Sequence, residues 1–134
     1  MTEQKLGILG GMGPQATQVF YQYVLDRTEA SCDQEHLPTL ILSDTKMPDR
    51  TAAILSGNTE ALYERLLRDA KLLENCGCTA IAIPCNTSHY FVDKLQGDLH
   101  TPILHMIRET AAAIYAQGRR RPAILATCLL YTSP

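Results

Sequence analysis

Five short runs in this chain are apolar at nearly every position, and each is separated from the next by residues whose apolar members recur at helical spacing. The runs are Lys5 to Gly10, Leu37 to Leu42, Thr79 to Ile83, Pro102 to Leu104 and Pro122 to Leu125. A strand without alternating polar positions has no water-facing side, so it belongs in a sheet covered on both faces. Helical stretches between such strands supply the cover and the crossovers that parallel strands need. The expectation is an α/β fold with a doubly wound parallel sheet.

The helical segments follow from their ends. Pro14 suits a first helical turn, where its missing N–H has no partner to lose. Ala16, Val19, Phe20, Tyr23 and Val24 then mark an apolar face. Asn58 or Thr59 can cap a long helix whose apolar face is Leu62, Leu66, Leu67, Ala70 and Leu73, with Gly77 as its stop. Pro48, Asp49 and Arg50 open a short helix or ordered loop. A further helix is expected from about Thr87 to Leu95, and another over Ile107, Ala111, Ile114 and Tyr115, stopped by Gly118.

The composition limits the function classes. With 46% apolar and 19% charged residues over 134 positions, the chain has a globular composition and suits one lobe rather than two complete ones. A net charge of −2 with interspersed signs offers neither nucleic acid nor an anionic membrane a basic face. Arg119, Arg120 and Arg121 read as a solvated turn. No apolar run is long enough to span a bilayer, and Met1 to Lys5 lacks the apolar core of a signal peptide, so a cytoplasmic location is expected. The five cysteines, Cys32, Cys76, Cys78, Cys85 and Cys128, have no disulfide spacing and are expected reduced. Cys76-Gly77-Cys78 lacks a second pair at metal-binding spacing and reads as a helix end with two small buried residues, so no metal site is expected.

In doubly wound sheets ligands sit beyond the carboxyl ends of the strands. Three such ends carry unusual residues: Gly10 to Pro14, Asp44 to Arg50, and Pro84-Cys85-Asn86-Thr87-Ser88-His89. Cys85 stands between a buried strand and a helix start, where backbone N–H groups and the helix dipole favour a thiolate. Asn86, Thr87 and Ser88 add donors suited to a carboxylate. His89, four residues on, is placed to polarise the thiol if the helix begins early. The bland alternatives are a small core cysteine, a plain N-cap and a surface histidine. Arg50 can grip a carboxylate with its planar fork, or pair with Asp49 or Asp44.

Gly11-x-Gly13-x-x-Ala16 formally matches a dinucleotide fingerprint, which raises a nicotinamide-dependent oxidoreductase as a rival. Its acidic partner would be Asp44, about thirty residues on rather than about twenty. Pro14 also removes an N–H that a pyrophosphate would use. A glycine turn admitting a small carboxylate explains the same residues.

Taken together, Gly7-Ile8-Leu9-Gly10-Gly11-Met12-Gly13-Pro14, Ala16-Thr17, Pro48-Asp49-Arg50 and Pro84-Cys85-Asn86-Thr87-x-His89 resemble, in order and rough spacing, the amino-terminal motifs of the aspartate/glutamate racemase family. The resemblance covers about residues 5 to 127. It implies two similar α/β lobes with a cleft between them, no cofactor, and a cysteine from each lobe flanking the substrate Cα. Cys85 would be the first-lobe acid/base. Asn86 and Thr87, with Ser88, would hold the α-carboxylate, and Arg50 with the Met12-Gly13 turn would recognise the side-chain acid of aspartate or glutamate. Thr17 and His89 would support them. The full-length parent would pair as a homodimer.

By the family's pattern a second cysteine lies in a Cys-Thr motif roughly a hundred residues after the first, and Cys128 is not in such a motif. The chain therefore divides into residues 1–118 as the first lobe, 119–127 as the start of a truncated second lobe and 128–134 as a non-native tail. Alone, it is expected to be nearly inactive. A non-catalytic lobe that binds acidic amino acids, or a maleate isomerase-like enzyme, are the rival readings.

Overall fold

A computed structural model describes residues 3–125, so Thr127, Cys128 and the expected tail lie outside the described residues. Four strands form one sheet in the order β2-β1-β3-β4, all parallel: β1 (Leu6–Gly10), β2 (Thr39–Ser43), β3 (Ala80–Ala82) and β4 (Ile103–Leu104). Register runs Gly10 against Ser43 and Ile8 against both Ile41 and Ala82, which brings the carboxyl ends of β1, β2 and β3 to one edge. The helices are α1 (Pro14–Arg27), α2 (Arg50–Ser56), α3 (Glu60–Asn75), α4 (Val92–Gly97) and α5 (Met106–Ala116).

Alternation along β1 divides the core. Leu6 and Ile8, with Ala82, meet Phe20, Tyr21 and Val24 of α1 on one face. Leu9, Ile81, Ile83 and Ile103 meet the other layer, where Leu62, Leu66, Ala70 and Leu73 of α3 pack with Phe91, Val92 and Leu95. Helical cover on both sides gives the doubly wound class. Gly7 allows α3 to approach, because a Cβ there would stand 3.3 Å from Leu73 Cβ and 3.1 Å from Cys78 Sγ.

Several expectations change. The face of α1 is turned: Val19 and Tyr23 are exposed, while Thr17 is buried and Phe20, Tyr21 and Val24 face the sheet. A polar residue takes the first core-facing position because the glycine turn needs its hydroxyl. β2 was expected to be buried but is an edge strand, and Leu40 and Ile41 remain exposed. The stretch from Thr87 to Leu95 is not one α-helix; a 3-10 turn over Thr87–Phe91 precedes α4.

The apolar side of α5 is left uncovered among the described residues, with Ile107 and Tyr115 exposed. Pro122 to Leu125, expected as a fifth strand, form none. Of the Cys76-Gly77-Cys78 pair only Cys78 is buried; Cys76, at the end of α3, is exposed. No described helix is long and apolar enough to cross a membrane.

Candidate active site

The first rim segment is held by Thr17. Its hydroxyl accepts the Gly11 N–H at 2.9 Å and donates to the Gly13 carbonyl at 3.1 Å. The side chain lies so close that a Cβ on Gly10 would stand 2.4 Å from it. Gly11, at φ +91°, turns against the second segment, where a Cβ would meet the Asp44 backbone at 2.5 Å. Space alone demands glycine at position 10, and space together with torsion demands it at position 11.

The second segment is fixed by charge. Arg65 on α3 grips Asp44 through both oxygens, at 2.5 and 2.8 Å, and Asp44 also accepts the Lys46 N–H at 2.9 Å. The Arg65 hydrogen bond, with the Lys46 N–H in support, holds the Asp44 carboxyl well below the ordinary carboxylate range. Arg68 bridges Asp44 to Asp69, whose own carboxyl is pushed up by burial. Arg65 and Asp69 were not anticipated from the sequence. An acid inside the apolar face of α3, between Leu66 and Leu73, was the available signal.

Asp49 caps α2 through the Ala52 N–H at 2.8 Å. With Asp44 and Asp49 engaged elsewhere, neither ion pair weighed for Arg50 forms. The Arg50 guanidinium is half-buried and donates to the Pro48 carbonyl at 3.2 Å. Its helix, α2, packs on the 3-10 turn that follows Cys85.

The third segment places Cys85 half-exposed against the edge of the core. Ser88 is fully buried, and its hydroxyl lies 3.1 Å from Cys85 Sγ and 3.3 Å from Met12 Sδ. One hydroxyl thus joins the thiol to the glycine turn across the sheet. Asn86 is exposed and Thr87 half-exposed, and the Asn86 side chain makes no capping bond. The side chains of Met12 and Ser88 face inward, so a substrate would meet only backbone there. A short 3-10 turn also aligns fewer peptide dipoles than the α-helix expected after Cys85.

His89 does not act on the thiol. Its Nδ1 lies 2.8 Å from the Cys85 carbonyl and its Nε2 accepts the Met106 N–H at 3.1 Å. A carbonyl can only accept, so the proton sits on Nδ1 and the ring is neutral. Burial lowers the His89 pKa, the Cys85 carbonyl opposes that, and His105 adds to it. The role visible here is a staple between the Cys85 loop and the start of α5. Among the described residues no group of side chains could hold a metal ion.

Residues 9–129 match the family model described as Asp/Glu/Hydantoin racemase. The chain is 33% identical over 113 residues to the broad specificity amino-acid racemase RacX of Bacillus subtilis, covering 81% of this chain and 48% of that protein. Among solved structures it resembles an aspartate racemase of Picrophilus torridus at TM-score 0.77 and 32% identity, over 86% of this chain and 48% of that one. An aspartate racemase homologue of Pyrococcus horikoshii shares the fold at TM-score 0.70 and 24% identity, over 86% and 50% of the two chains. The chain therefore spans about half the length of these relatives.

Proposed function

From the premise that this chain belongs to the Asp/Glu/Hydantoin racemase family, we propose that it carries the first of two thiol acid/bases that invert the Cα of an acidic amino acid, aspartate foremost. The observation that carries the reading is the half-exposed Cys85 thiol at the carboxyl edge of the sheet, tied through Ser88 to the glycine turn. In this reading the Cys85 thiolate takes the Cα proton. A thiol on the opposite face, from the length of the relatives that this chain does not span, returns one to the other side.

The carbanion formed beside the α-carboxylate needs donors before it forms, and the Asn86 and Thr87 side chains and the backbone at the turn are free to supply them. Arg50 swings from the Pro48 carbonyl to bind the side-chain carboxylate, assisted by the Met12-Gly13 backbone. No cofactor enters the scheme. On this reading the chain alone lacks the opposite-face donor and inverts substrate at most very slowly, and the full-length parent acts as a homodimer in the cytoplasm.

The test is chiral chromatography of L-aspartate, with α-proton exchange in D2O followed by NMR, for the full-length parent and its Cys85→Ala variant. A positioned acid/base contributes about 10²–10⁴-fold, so both rates fall by at least about a hundredfold. Unchanged inversion in the variant overturns the assignment.

A further inference from the structure

Cys85, if it is the acid/base, must be comfortable as both thiolate and thiol within each turnover, and the buried Ser88 hydroxyl stands between two sulfurs with one proton to give. We infer that Ser88 is a positioning residue that rotates its O–H between Cys85 Sγ, 3.1 Å away, and Met12 Sδ, 3.3 Å away, as Cys85 loses and regains its proton. The inference rests on the reading of Cys85 as acid/base and deepens it.

The geometry leaves few other ways to stabilise the sulfur. The Cys85 N–H is spent on the Ile83 carbonyl at 2.8 Å. The helix that would have lent its dipole is a 3-10 turn. Of the titratable groups nearby, His89 is occupied with the Cys85 carbonyl and the Met106 N–H, His105 lies behind it with ring centroids 5.1 Å apart, and Arg50 on α2 is turned to Pro48. Among the described residues, Ser88 makes the only hydrogen bond to Cys85 Sγ.

A thiolate is a far stronger acceptor than a thiol or thioether, so the hydroxyl donates to Cys85 while the sulfur is charged. When the thiolate takes a proton from carbon, that S–H bond points at the substrate and Sγ becomes a poor acceptor. The hydroxyl then turns to Met12 Sδ, which can only accept. The Ser88 proton stays on its oxygen throughout; the one proton transferred moves from Cα to Sγ. A fully buried hydroxyl thus keeps a partner in both states, which otherwise would be costly to arrange.

The two sulfurs therefore pull in opposite directions. Removing the hydroxyl by Ser88→Ala takes a donor from the thiolate. Replacing Met12 by leucine, of nearly equal volume, takes the alternative acceptor from the thiol state and commits the hydroxyl to Cys85. The measurement is alkylation of Cys85 by iodoacetamide, resolved by peptide mass spectrometry, as a function of pH on the 134-residue chain.

Ser88→Ala raises the midpoint of that profile by about one pH unit, a tenfold loss of thiolate below it. Met12→Leu lowers it by a few tenths of a unit, and the double variant matches Ser88→Ala, because the methionine acts only through the hydroxyl. A midpoint unmoved by Ser88→Ala, a Met12→Leu shift in the same direction, or a Met12 effect that persists without the hydroxyl each overturns the inference. Should Ser88→Ala fail to fold, the sign of the Met12→Leu shift decides. The readout needs no turnover, so loss of the acid/base reading through Cys85→Ala activity is a separate result.

Discussion

Thr17→Val isolates the bond that shapes the glycine turn. Valine keeps the size and β-branching of threonine and has a similar helix propensity, so the change removes a hydroxyl and little else. That hydroxyl is the acceptor for the buried Gly11 N–H at 2.9 Å. The Gly13 carbonyl, its other partner, keeps a bond from the Thr17 backbone N–H at 3.2 Å and is not orphaned. The cost is therefore that of one buried, unpartnered N–H, about 1–3 kcal/mol.

For a chain of 134 residues, each kcal/mol lowers the melting midpoint by about 4 °C. Thr17→Val should melt about 4–12 °C below the parent by circular dichroism, and its urea midpoint should fall without a change in slope. Thr17→Ser, which retains the hydroxyl, should recover most of the loss. A Thr17→Val protein within about 0.5 kcal/mol of the parent, or a serine variant no better than valine, would refute the assignment of the turn's stability to this hydroxyl.

Two pH-dependent outcomes follow from the charged groups. The folded Asp44 carboxyl titrates below its ordinary 3.8, so its contribution is full above that value and is lost as acid protonates it; Asp44→Asn should cost about 1–2 kcal/mol at neutral pH and flatten the acid limb of urea titrations below pH 4. Equal losses at pH 7 and pH 2 would argue against it. For His89 the folded pKa is below 6.5, so the unfolded chain binds more protons and stability declines as pH falls from 6.5 toward the lowered value; His89→Gln should remove that decline, and a persistent slope would place it elsewhere.

The alternation of apolar runs with helical spacing was sufficient to assign a parallel, doubly covered sheet, because burial on both faces leaves its mark on each strand separately. The same local logic located the three strand-end segments, with the glycine turn after the first strand and Cys85, Asn86 and Thr87 after the third. It misjudged the face of α1 because Thr17 is inside for the sake of a backbone N–H six residues earlier, which no hydrophobic period records. It also judged β2 buried, since an edge strand differs from a central one only by its neighbours.

Three features were decided by tertiary structure alone: Arg65 on Asp44, the His89 ring on a carbonyl rather than a thiol, and Ser88 between two sulfurs 73 residues apart in sequence. The physical reason is common to all three. Apolar burial is a property each segment carries by itself, whereas a hydrogen bond depends on distance and direction between atoms that only the folded chain brings together.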